Sequence, residues 1–182
     1  MFLSVEIVGL TPGLMTHNPA SMLEKANGPR KTASEYNSEE DAERATYRTE
    51  EGYCAFPGAA PRACIVRAAA GFKARKGRGS LKTVMAHILV LQDLVPLLDP
   101  DTKQPLTNYE ISRKRVIVQR QGIIRSRPLF PRWAAKFQIE YDSDVIGPDE
   151  ILAVLADGGR KVGICEYRPV CGGPYGRFDV VK

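Results

Sequence analysis

The chain has 182 residues, with 26 Lys+Arg against 21 Asp+Glu, 43% hydrophobic and 26% charged. That length supports one domain, with or without a large insertion, and the ordinary globular balance excludes a disordered or low-complexity chain. No apolar run approaches the ~20 residues of a membrane span, and MFLSVEIVGL lacks a basic start and carries Glu6, so it does not read as a signal peptide; a soluble, cytoplasmic protein with no membrane partner is expected.

Phe2–Leu10 is apolar and β-rich and closes on a glycine turn, which predicts a first strand. Residues 11–55 hold Pro, Asn and Gly followed by an acidic stretch, and they read as an insertion with one short helix near Glu39–Tyr47. Phe56-Pro57-Gly58 then opens a helix over Ala60–Phe72, with Pro61 in the first turn and Ile65, Val66, Ala69 and Phe72 at helical spacing. Ser80 is placed to cap a second helix, Leu81–Leu91. Tyr109–Gln119 predicts the second strand. Residues 120–132 read as a basic turn or arm. Trp133–Tyr141 alternates cleanly, with Ala135, Phe137 and Ile139 on one side and Lys136, Gln138 and Glu140 on the other. Gly147-Pro148-Asp149-Glu150 starts a third helix, which Gly158-Gly159 is expected to end. A glycine-rich loop, Gly172–Gly176, precedes a last strand at Arg177–Val181.

Without the insertion and the Leu81–Leu91 helix, the order is strand, helix, strand, strand, helix, strand. This is the βαββαβ pattern of an α+β, ferredoxin-like (RNA-recognition-like) fold, a single domain over 1–182. Two helices cover one face of its four-stranded antiparallel sheet. The other face is free, and in RNA-recognition domains it binds single strands.

Charge is segregated along the chain. Gly52–Gln92 and Ile111–Ile139 contain no Asp or Glu. Residues 62–82 of the first window hold Arg62, Arg67, Lys73, Arg75, Lys76, Arg78 and Lys82; residues 113–132 of the second hold Arg113, Lys114, Arg115, Arg120, Arg125, Arg127 and Arg132. More than half of all cationic side chains therefore lie in two acid-free windows, the footprint of a polyanionic partner. Phe130, flanked by prolines and arginines, is the best candidate for an exposed stacking ring; Tyr109, Trp133 and Tyr175 are others, with core burial favoured for Tyr109 and Trp133.

Cys54, Cys64, Cys165 and Cys171 are spaced C-x9-C and C-x5-C, which fits free thiols and no zinc site. No metal or cofactor is expected. Gly172, Gly173 and Gly176, followed by Arg177, could present backbone N–H groups and a guanidinium to phosphate, or simply form a tight turn.

Three segments together carry a resemblance. The FPG…R…RAA turn and helix at 56–69, the GGPYGRF loop at 172–178 and the opening strand followed by GLTPGLMTHN resemble the motifs of the RAMP superfamily. These are RNA-binding proteins that include the backbone subunits of CRISPR effector complexes. The resemblance implies binding of RNA or single-stranded DNA, often by repeated subunits, so a homo-oligomer or larger ribonucleoprotein is expected. It places Arg62 and Arg67 near the nucleic-acid backbone and makes 120–132 the counterpart of a protruding hairpin. Some RAMP ribonucleases place a histidine after the first strand as general base, which makes His17 the candidate catalytic residue of a metal-independent endoribonuclease. The non-catalytic binding module leads. The third alternative is a structural subunit of a phage or CRISPR-like assembly, whose basic windows meet an acidic 35–51 segment of a neighbour.

Overall fold

A computed structural model describes residues 1–19, 37–72, 80–118 and 121–181, without the side chains of 115–118 and 121–123. The expected phosphate contacts Lys73, Arg75, Lys76, Arg78 and Arg120 lie outside the described residues, as does the side chain of Arg115.

The architecture is mixed α+β, with three antiparallel sheets and four α-helices among the described residues. The central sheet joins β1 (Phe2–Gly9), β5 (Leu89–Val90), β9 (Ala134–Glu140) and β10 (Phe178–Val181) in the order β10-β1-β9-β5. Strand β1 lies in the middle, pairing Ile7 with Ala135 on one side and with Val180 on the other. Period-two alternation sends Val5, Ile7, Ala135, Phe137, Ile139 and Phe178 into the core. It sends Ser4, Lys136, Gln138 and Glu140 outward.

Two helices supply the core's other layer: α2 (Ala59–Ala68), continued by a 3₁₀ turn at Ala69–Gly71, and α4 (Pro148–Lys161). Between them in the chain lies the short α3 (Leu81–Met85). Helix α4 starts on Pro148 with Asp149 and Glu150 in its first turn and ends with Arg160 and Lys161, as the helix dipole favours. It runs straight through Gly158-Gly159, where the sequence predicts a stop. The reason is close packing. A Cβ on Gly158 would lie 3.0 Å from the Cys64 Sγ of α2, and one on Gly159 would lie 2.4 Å from the Phe178 carbonyl oxygen. Glycines keep α4 in contact with both α2 and β10. Gly9 does the same for the indole of Trp133, whose Nε1 would sit 2.0 Å from an added Cβ.

The remaining segments differ most from expectation. Glu110–Val118 (β7) is a strand, but it belongs to a second sheet, β2-β8-β7, with β2 at Leu14–Met15 and β8 at Gln121–Phe130. Residues expected as a basic arm thus form the second strand of a long hairpin, and the second core strand is the two-residue β5, which lies inside the expected Leu81–Leu91 helix. β7 and β8 pair along their whole length, from Glu110–Leu129 to Val118–Gln121. This local register pairs the facing edges of the two strands in a sheet separate from the central one.

The described parts of the 11–55 stretch, residues 11–19 and 37–55, contribute to the core. Helix α1 (Ser38–Arg44) is capped by the Asn37 side chain, which accepts from Glu39 N–H at 2.9 Å. Glu43 of α1 accepts from Arg48 and from the Tyr109 hydroxyl at 2.7 Å, tying the helix to the hairpin base. The third sheet, β3 (Tyr47–Arg48), β4 (Cys54–Pro57) and β6 (Leu94–Pro96), adds Cys54, Phe56 and Val95 to the core, and Leu14 enters it from β2. No helix among the described residues is long and apolar enough to cross a membrane.

Candidate functional site

Three stretches singled out in the sequence meet along α2. A groove of about 1050 Å³ is lined by Ala60, Arg62, Ala63 and Arg67 of α2, by Lys82 of α3, by Val162–Glu166 and Arg168, and by His17 and Tyr47. The exposed flank of α2 is built of alanines and arginine, so its backbone side stays open to solvent. Among the described residues, four Lys and Arg side chains line this groove, and the sole carboxylate in its lining is Glu166.

The state of those charges decides what the groove can attract. Arg62 donates from Nε to the Ile88 carbonyl at 2.9 Å and from Nη2 to the Ala86 carbonyl at 2.7 Å, holding the end of α3. Arg168 donates from Nη1 to the Cys165 carbonyl at 2.6 Å. Carbonyl partners position a guanidinium without cancelling its charge. Among the described residues, Arg62, Arg67, Lys82 and Arg168 form no ion pair with a carboxylate. Glu166, by contrast, is already neutralised: Arg127 of β8 donates from Nε to its Oε2 at 2.6 Å, and His17 Nδ1 lies 3.9 Å from its Oε1. Two thiols line the same groove, and burial pushes Cys64 and Cys165 up to about 12, so neither adds negative charge at neutral pH.

Several expected contacts take other roles. Arg127 is 8% exposed and bound to Glu166, so it is a tether between hairpin and groove and not a phosphate ligand. Phe130, expected as an exposed ring, is 1% exposed. The alternation of β8 puts Ser126, Pro128 and Phe130 on one buried face, and the Phe130 ring meets Tyr109 edge-on at 6.1 Å. Trp133 is buried, as expected. Arg113 is exposed on β7. Arg125 stands directly across from Lys114, a like-charge cross-strand pair that lacks the attraction of opposite charges. Arg177 lies beside Asp179 near the sheet edge, outside the groove lining.

The glycine-rich loop does not offer a phosphate cradle. Gly172 N–H donates to Pro169, Gly173 to Arg168, Tyr175 to Tyr167 and Gly176 to the Gly13 carbonyl. Its glycines serve internal packing: a Cβ on Gly173 would lie 1.9 Å from the Tyr167 oxygen. Gly176, at φ +70°, would meet the Ile164 oxygen at 1.9 Å. The loop thereby fixes the 163–168 segment that lines the groove.

The free face of the central sheet is also not a cationic platform. It presents Glu6, Glu140 and Asp179 against Lys136. Glu6 pairs with Lys103, and Asp179 with Arg160 at 2.7 Å, which holds the Asp179 carboxyl below its usual range.

Sequence reasoning did not single out Arg168, Glu166 or Tyr167 as site residues. Their nearness to the glycine-rich loop was the available signal, because clustered glycines mark close backbone approach to neighbouring segments. No protein-family model matches the chain, and no curated protein is significantly similar to it.

Proposed function

We propose that the protein binds RNA or single-stranded DNA along the α2 groove, as a non-catalytic module of RAMP-like, ferredoxin-like design acting in the cytoplasm. The carrying observation is the collection of Arg62, Arg67, Lys82 and Arg168 in one groove whose single acid among the described residues is paired with Arg127. The central sheet supports the fold assignment: β1, α2, β5, β9, α4 and β10 follow in βαββαβ order, with strands arranged fourth, first, third, second. Repeated copies along one strand, as a homo-oligomer or within a ribonucleoprotein, fit a groove that reads backbone charge.

The test is equilibrium binding of a labelled 20-nucleotide RNA and its DNA counterpart at several salt concentrations. Four phosphates neutralised on a single strand give a log–log slope near −2.8, or roughly a 50-fold loss from 50 to 200 mM salt. Absent or salt-insensitive binding removes the proposal.

One observation favours a second reading. His17 lines this groove with Glu166 beside its Nδ1 and with its carbonyl accepting from the Tyr47 hydroxyl at 3.2 Å. That placement suits a general base for attack by a ribose 2′-OH. Cleavage of RNA by the wild type, lost in His17→Ala with binding retained, would establish an endoribonuclease.

A further inference from the structure

We infer that Tyr167 is a stacking contact for an unpaired base, which makes the ligand of the groove single-stranded at that point; the inference rests on the nucleic-acid reading above. Tyr167 sits between two basic regions. Its neighbours Glu166 and Arg168 line the groove, whereas Tyr167 itself reaches the hairpin, where Lys114 Nζ lies 5.0 Å from its ring centre. Tyr167 thus stands between chain neighbours that line the groove and Lys114 of the hairpin.

The residue is not buried. Tyr167 is 44% exposed, against 9% for Tyr175, its partner at 6.1 Å between centroids. Lys114 also donates to the Tyr175 hydroxyl at 3.0 Å, so the ammonium is fixed at the tyrosine pair. The backbone is forced to hold this arrangement. Cys165 and Tyr167 take φ of +61° and +51°, two of the three non-glycine residues in the left-handed region among those described. Such conformations cost free energy and persist where surroundings over-determine them. Here the determinants are Glu166 N–H on the Met15 carbonyl, Tyr175 N–H on the Tyr167 carbonyl, and Gly173 against the tyrosine Cγ. A rigid, exposed aromatic beside cations is the arrangement that stacks bases in single strands. Duplexes do not use it, because their bases are already stacked.

The experiment compares anisotropy of a labelled oligouridylate with that of an RNA hairpin of equal charge whose strands are joined by a non-nucleotide linker, so that it holds no unpaired base, for wild type, Tyr167→Leu, Tyr167→Phe and Arg67→Ala. Tyr167→Leu is expected to weaken single-strand binding roughly 5- to 100-fold with an unchanged salt slope and unchanged hairpin affinity. Tyr167→Phe retains wild-type affinity. Arg67→Ala lowers the slope by about 0.7. A strand carrying 2-aminopurine is quenched on binding wild type and not on binding Tyr167→Leu, a readout that a change in fold would not mimic if the unfolding temperatures match. Wild-type affinity in Tyr167→Leu, or equal losses for strand and hairpin, overturns the stacking role alone. Failure of wild type to bind either RNA overturns the nucleic-acid reading itself. If Tyr167→Leu proves unstable, loss of quenching in Tyr167→Ser decides in its place.

Discussion

The free face of the central sheet and the groove along α2 both carry charged side chains, yet their charges are handled in opposite ways. On the sheet face, carboxylates meet cations: Glu6 with Lys103 and Asp179 with Arg160. In the groove, guanidinium groups meet carbonyls: Arg62 with Ala86 and Ile88, Arg168 with Cys165. A carboxylate partner cancels a charge, whereas a carbonyl partner aims it and leaves the field intact. Counting arginines therefore says little about where a polyanion will lie, and the identity of each arginine's acceptor says much more.

The comparison can be broken most directly by reversing the groove. Arg67→Glu with Lys82→Glu is expected to weaken single-strand binding by more than 10-fold and to flatten the salt slope by more than 1, read by anisotropy titrations. Undiminished binding would move the site elsewhere. Glu166→Gln should separate stability from attraction. Loss of the partly buried Arg127 partner is expected to cost about 1–2 kcal/mol in denaturant unfolding, while removing this groove carboxylate tightens polyanion binding about twofold.

The thiols sharpen the same contrast. Cys64 and Cys165 are raised by burial from an ordinary value near 9 to about 12. The folded state thus holds those protons more tightly than the unfolded state. Stability is full below pH 9 and declines as pH rises from about 9 to 12. At pH 8 a disulfide reagent should modify exposed Cys171 well before Cys64 and Cys165, with the rest released by denaturant. The smallest effect belongs to the sheet face: Lys136→Ala should change binding by less than about twofold and stability by under about 0.5 kcal/mol, which checks that this face is a bystander.

How far the chain could be read follows from which forces are local. β1, β9, α2 and α4 carry their own periodicity, so they were legible within a residue or two at most ends. Phe130 was not: its Pro-Arg surroundings suggested exposure, while burial came from the pairing of β8 with β2 and from α1, contacts distant in sequence. β5 was hidden because a two-residue strand has no period of its own and was absorbed into the helix pattern before it. Arg62, Arg67 and His17 were found, and the groove brings them together, but Glu166 as the mate of Arg127 could not be seen. The two are 39 positions apart in the chain and meet only across the folded molecule.

The groove also has an order of assembly in time. Arg62 and Arg67 are made about a hundred residues before Gly163–Arg168, and Gly176, which fixes that segment, comes later still. At 5–20 residues per second the cations of α2 wait roughly 5–20 s for the segment that completes their groove. During that interval the nascent chain carries these cations without Glu166, without Tyr167 and without the Arg127 tether; on the nucleic-acid reading proposed above, attraction to a strand and discrimination among strands would be acquired at different moments of synthesis.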